Sequence, residues 1–432
     1  MSTTRRRALL ACAVAAVLVT LAALAVLPRG AGSAQPRYFF GTLRTDPGKA
    51  RLEHRNGIGV AHLTIRWEQF EPGPGRYDTR YIDHIRHDLQ TLHKAGARVE
   101  AGVGINHPPQ WLDRRFSDAA FTDEHGDRYT DTANVVFSQK IRDAVRRYIK
   151  ALDSKVGLDN FWSIRVGVND HGEFTYPPPV PTDGRPGSDY WAYDRYAQSA
   201  SPSPGRARSV PLNPFPGWRP GERQYRGASF TRAQAARWYA WYLAALADAV
   251  NWQQDTYRSL GYGGLLKVLV PGAGYYPGDY AAAVREYFDG PRVGGLIGRG
   301  VGYFKTIEQI RPGKDVQIVT TSLVNGTGAP RANGCRPTDA AVRLDSSSDV
   351  RVRRWSSARW VTAIARREGF AVAGESAGPQ VYPYYPGVMR DAARQVRTCG
   401  LKGLMWAFDG NLYDGTPGSS LQDYAEMIRH LT

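Results

Sequence analysis

The feature that most constrains this chain is an alternation of two patterns. Short runs rich in β-branched and aromatic residues recur eight times: "RYFFGT" (37–42), "GVAHLTIRW" (59–67), "ARVEAGVG" (97–104), "FWSIRVGV" (161–168), "LLKVLVPG" (265–272), "DVQIVTTS" (315–322), "FAVAGE" (370–375) and "KGLMWAF" (402–408). Helix-like runs lie between most of them, at 80–95, 136–154, 231–258, 280–288, 355–368, 388–398 and 421–430. Eight strands with intervening helices in one chain predict a (β/α)8 TIM barrel, an α/β fold, because parallel neighbours need a crossover that a helix supplies. The rival architecture, a doubly wound open sheet, usually opens with a glycine-rich phosphate turn after its first strand, and "GTLRTDPG" is not one.

A barrel presents its ligand-handling side chains at the C-terminal ends of the strands. Acids, amides, histidines and aromatics collect at these ends here. The fourth run feeds into "VNDHGEFTYP" and the seventh into "AGESAG", so Glu173 and Glu375 sit just beyond or at the ends of strands that face each other across a barrel. Cleavage of a glycosidic bond needs such a pair: one carboxyl protonates the leaving oxygen, and the other attacks the anomeric carbon or activates water. Glu173 and Glu375 are therefore the candidate catalytic residues. Arg66 is placed to orient or charge-balance Glu375. His107 and Asn169 are candidates to reach sugar hydroxyls, and Trp111, Tyr176 and Trp406 to pack on a sugar ring. Residues 177–228 form an unusually long insertion after the fourth strand, rich in Pro, Gly, Ser and aromatics, and read as a lid or cleft wall.

Composition narrows the partners. With 11 Trp and 24 Tyr, the chain has ample rings for a carbohydrate substrate. The formal charge is +16, four of it from arginines in the first 34 residues, but no basic run interleaves with aromatics, so no nucleic-acid partner is expected. The nine histidines show no metal-ligand spacing, and three candidate ligands within Asp170–Glu173 fit zinc poorly; neither a metal nor an organic cofactor is expected. Residues 1–34 begin with "TTRRR", continue through the apolar segment 8–27 and end in "PRGAGSAQP". They read either as a signal peptide or as an N-terminal membrane anchor, which makes the protein secreted or extracytoplasmic, with membrane anchoring through 8–27 as the alternative. Residues 35–432 then form a single catalytic domain. Outside the leader only Cys335 and Cys399 remain, an even pair suited to a disulfide in an oxidising compartment.

Two stretches carry resemblances. "RWEQFEPGPGRYD", followed by "KAGARVEAGVGINHPPQWL", resembles the second-to-third-strand segment of clan A glycoside hydrolases, most of all the family 42 β-galactosidases. That resemblance implies a Glu after strand four as acid/base, Glu173, and a Glu after strand seven as nucleophile, Glu375. Clan A places Asn directly before the acid/base, whereas Gly172 stands here and Asn169 lies four positions before the glutamate. Locally, "GEFTYPPPVP" with "PGSDYWAYDRY" is instead similar to the family 14 β-amylases, which invert configuration. The expected activity is hydrolysis of an oligo- or polysaccharide, with retention or inversion left open. The alternative is a non-catalytic carbohydrate-binding or cell-surface protein on a degenerate barrel.

Overall fold

The computed structural model describes residues 38–180, 189–289, 293–324, 334–346 and 351–432. Tyr38–Thr432 form one compact unit. Eight strands make up its centre: β1 (Phe39–Thr42), β2 (Val60–Thr64), β3 (Arg98–Gly102), β4 (Ser163–Val166), β5 (Leu265–Val270), β6 (Val316–Leu323), β7 (Ala371–Ser376) and β8 (Gly403–Trp406). They close into a barrel in sequence order, every pair parallel, with β1 meeting β8 through the Phe39–Gly403 to Thr42–Trp406 register. Each of the eight lies within, or within one residue of, the run that predicts it.

Among the described residues, eight of the α-helices form the outer layer: α1 (Ala50–Arg55), α2 (Thr79–Lys94), α3 (Gln139–Val156), α4 (Arg232–Ser259), α5 (Pro277–Arg285), α6 (Ser357–Arg367), α7 (Val388–Thr398) and α8 (Leu421–Leu431); the others, such as Trp67–Phe70, are short turns in the connections. Their starts follow from capping. The Asp78 carboxylate accepts from Tyr81 N at 2.9 Å and the Ser138 hydroxyl from Ile141 N at 3.2 Å, while Thr231 and Gln234 form a reciprocal capping box. Helix α1, with six residues, is too short for its periodicity to stand out in the sequence.

The 177–228 insertion departs from expectation. Among the described residues none of it lines the central cleft. Its aromatics are spent on packing against α4: Tyr190 and Trp191 are buried, Tyr190 meets Trp238 edge-on at 5.6 Å, and Trp191 N donates to the Tyr242 hydroxyl at 3.0 Å. This segment is outer-wall core rather than a lid, because burying several large rings outweighs leaving them over an open site. The Cys335–Cys399 disulfide is formed and ties the stretch ahead of α6 to the end of α7. The leader with its apolar segment 8–27 lies outside the described residues. Among the described residues no helix is long and apolar enough to cross a membrane.

The barrel interior is unusual in what it buries. Along each strand alternate side chains point inward, which places apolar Val60, Leu269, Val319, Ala373 and Met405 inside. The same parity turns Glu100, Arg165 and Lys267 into the interior. Glu100 Oε1 takes the Arg165 Nε–H at 2.7 Å and Oε2 takes the Ser163 hydroxyl at 3.0 Å, while Lys267 Nζ bonds the same Oε2. Lys267 Nζ also lies 4.2 Å from the Phe39 ring centre. Burial alone would raise the Glu100 carboxyl, but Lys267, Arg165 and His62 more than reverse this and hold it well below the usual carboxylate range. Removing one member of such a group leaves an uncompensated buried charge. Glu100→Gln is expected to lower folding stability by about 3–5 kcal/mol, measured by urea denaturation; a loss under about 1 kcal/mol would show that the network is not structural.

Candidate active site

A cleft of about 920 Å³ opens at the C-terminal ends of the strands. Glu173 and Glu375 both line it, as do His62, His107, Arg165 and Thr321. Glu375 lies on β7 at the inward parity, two residues after Ala373. Its Oε2 accepts from Arg165 Nη2 at 2.6 Å. Its Oε1 accepts no hydrogen bond among the described residues, so one oxygen is anchored and the other is left to the cleft. Burial pushes the Glu375 carboxyl above its ordinary value, Glu100 and Glu173 add to this, and Arg165 opposes it. Burial would lower the Arg165 guanidinium, yet Glu375 and Glu100 together hold it above its ordinary range, so it remains charged.

Glu173 is placed by a tight return loop. Gly172 N donates to Asn169 O at 2.9 Å, and Asn169 Oδ1 accepts from His171 N at 3.1 Å and from Glu173 N at 2.7 Å. The chain then doubles back so that Val168 N donates to Glu173 O at 2.8 Å. Gly172 turns the corner at φ +75°, a conformation that glycine adopts without a Cβ clash. Gly167 permits the close approach: a Cβ there would stand 2.0 Å from Gly172 O. The glycine before the glutamate is thus required by the reversal. Asn169, fully buried, reaches the carboxylate from below, with Nδ2 3.3 Å from Glu173 Oε2. Thr321 on β6 holds the other oxygen, Oγ1 to Oε1 at 3.0 Å, and also lies 3.1 Å from Val270 O. A hydroxyl carries one hydrogen, so Thr321 donates to a Glu173 carboxylate, or points at Val270 O and accepts from a protonated Glu173.

The remaining candidates divide. His107 faces the cleft half-buried, and burial holds its imidazole below the ordinary value. Asn169 acts on Glu173 rather than lining the cleft. Arg66 does not reach Glu375; it is exposed and pairs with Glu68, Nε to Oε1 2.8 Å, because it caps the short helix Trp67–Phe70 outside the barrel mouth. Trp111 packs edge-on to Trp67 at 6.0 Å and donates to Glu71 O at 2.9 Å, away from the cleft. Tyr176 is fully buried and stacked on Tyr242 at 4.0 Å, with its hydroxyl on Tyr242 O. Trp406 is also fully buried. Its neighbour Met405 takes the inward parity, so the indole points outward to Tyr384, Tyr424 and the Ser419 hydroxyl, and no sugar platform forms there.

Sequence reasoning missed Arg165, Glu100, Lys267, His62 and Thr321. A signal existed for three of them: "FWSIRVGV" and "LLKVLVPG" each carry one charged residue inside the part of the run that forms the strand, and "ARVEAGVG" carries Arg98 and Glu100 there. His62 is buried beside this network. Burial, with Arg165 next, drives its pKa to about 3, which keeps it neutral at ordinary pH.

A carboxylate pair from opposite strands, at the C-terminal mouth of a closed parallel barrel, is the architecture of a TIM-barrel glycoside hydrolase. The particular likeness lies in the first half of the barrel, where residues 45–159 match the family 42 glycoside hydrolase model, described as β-galactosidase. The matched stretch ends ahead of β4, before either glutamate. Among solved structures, the catalytic domain of a β-amylase from Paenibacillus polymyxa is similar over 93% of this chain and 100% of its own, with TM-score 0.63 and 17% identity. β-Galactosidases from the psychrophilic Marinomonas ef1 and from Bacillus circulans sp. alkalophilus are similar at TM-scores 0.55 and 0.54, with 12% and 14% identity. This chain covers 59% and 56% of those two chains, and they cover 91% and 92% of it. No curated protein sequence matches the chain. The family match and the fold indicate a glycosidase.

The return loop makes a sharp expectation. Gly167→Ala should displace Glu173 and lower kcat/KM about 100-fold while the far-UV circular dichroism spectrum is kept. Unchanged kinetics would mean that Glu173 need not sit where the loop puts it.

Proposed function

We propose that the protein hydrolyses O-glycosidic bonds in an oligo- or polysaccharide, with Glu173 as general acid/base and Glu375 as its partner. The observation that carries this reading is the unequal holding of the two carboxyls. Glu375 has one oxygen fixed by a permanently charged guanidinium and the other free toward the cleft, which suits a group that must be ionised and aimed. Glu173 touches only a neutral amide and a hydroxyl, and that hydroxyl accommodates either protonation state. In the forward direction the Glu173 proton passes to the leaving oxygen as the bond to the anomeric carbon breaks. The free oxygen of Glu375 then serves as nucleophile in a retaining reaction, or as the base that takes a proton from attacking water in an inverting one. The anomer first formed, followed by proton NMR, distinguishes the two.

The protein works outside the cytoplasm in this reading. The basic and apolar leader supports export, and the formed disulfide suits an oxidising compartment. The leader is either removed or kept as an anchor through residues 8–27.

Glu173→Gln and Glu375→Gln are each expected to cut turnover by at least about 1,000-fold on a panel of glycans, with folding retained. Full activity in both variants would overturn the assignment. The pH profile gives a second test. Glu375 must be ionised to act, and its raised pKa puts the acid limb of kcat/KM above the ordinary glutamate value of 4.5. Arg165 pulls that pKa down, so Arg165→Met should move the limb to higher pH, and Arg165→Lys should restore part of the shift. A limb that stays in place would show that Arg165 does not control Glu375.

A further inference from the structure

Most charged groups in the cleft are accounted for. Arg165 is matched by Glu100 and Glu375. Asp170 pairs with His171, Oδ2 to Nδ1 3.0 Å. Arg299 has no such match. It lies on the stretch between α5 and β6, and its carbonyl accepts from Tyr176 N at 3.0 Å and from the Thr175 hydroxyl at 2.8 Å. Those bonds fix its backbone to the segment directly after Glu173. Its side chain lines the cleft, its Nε is buried without a hydrogen-bond partner, and it forms no ion pair among the described residues.

Arg44 extends the same charge. It sits on the turn after β1, lines the cleft, and rests over the Phe408 ring at 4.5 Å. It too forms no ion pair among the described residues. Arg44 is exposed, but Arg299 is half-buried, and a half-buried guanidinium without an ion-pair partner is costly; the group that best compensates it is an oxyanion, which accepts the parallel N–H fork. A neutral pyranose offers hydroxyls but no charge. The formal charge of +16, of which +12 lies outside the first 34 residues, adds a long-range pull on a polyanion.

We propose that this cleft takes an anionic glycan, and that Arg299 is the specificity-determining residue that binds a carboxylate or sulfate on the sugar next to Glu173. The proposal rests on the glycosidase reading for the placement of the sugar. Its test is made on binding, so that the two stand or fall separately.

The test uses Glu173→Gln protein, titrated calorimetrically at low salt with four size-matched oligosaccharides: an oligogalacturonate, a sulfated galactan fragment, a neutral galactan fragment and a malto-oligosaccharide. One anionic probe should bind at least about tenfold tighter than the neutral ones, and its affinity should fall as salt is added. Which anionic probe binds separates the uronate from the sulfate. Adding Arg299→Met should remove about tenfold or more of that affinity, whereas Arg299→Lys, which keeps the charge but loses the fork, should fall between. Neutral probes binding as tightly as the anionic ones would overturn the proposal. So would anionic binding that ignores Arg299→Met, or no binding of either anionic probe. The thermal midpoint of Arg299→Met protein guards against a folding defect, and the Lys variant carries the comparison if that midpoint drops. Failure of the glycosidase reading would appear elsewhere, as turnover indifferent to Glu173 and Glu375.

Discussion

The contact on which the rest depends is the one between Arg165 and its two carboxylates. Arg165 spans from Glu100, deep in the barrel, to Glu375 at the mouth, and Lys267 closes the group on the far side of Glu100. Two cations and two anions share a space that most barrels fill with branched hydrocarbon. None of these charges can be buried alone. The registry of four different strands is therefore coupled to the aim of the second Glu375 oxygen, and the barrel floor and the cleft mouth form one electrostatic unit.

Around that unit the second glutamate is positioned by backbone rather than by charge. Gly167, Asn169 and Gly172 fold five residues back upon themselves and hand Glu173 to Thr321 across the mouth. In the proposed reaction the contrast has a chemical use. A fixed cation favours one protonation state, whereas neutral donors permit two. Acid/base work needs a group that changes state, and its partner needs one that stays ionised. The 177–228 insertion serves the scaffold instead, burying its rings against α4 and leaving the cleft walls to shorter loops.

Much of this was legible in the sequence. The eight strands and seven of the eight helices stand where the alternation put them, and both glutamates lie on the cleft. The aromatic candidates fared worse for one reason. Trp111, Tyr176 and Trp406 follow or end strands in sequence, but strand parity turns Trp406 outward, a short helix carries Trp111 to Trp67, and the chain after Glu173 carries Tyr176 to Tyr242. Arg66 failed similarly, since a short helical turn carries it outward to Glu68. The charged residues inside strands carry little signal by themselves, because an apolar run with one or two charges reads as a slightly imperfect strand.

What the sequence determined by itself was the order and type of elements, and from them a closed parallel barrel with a carboxyl at each of two strand ends. Periodicity is local, and local rules suffice to state it. The tertiary structure alone decided which cation serves Glu375 and which arginines are left without a carboxylate. Those outcomes depend on pairing between residues 65 to 210 positions apart. Only closure of the barrel brings such residues within hydrogen-bond reach.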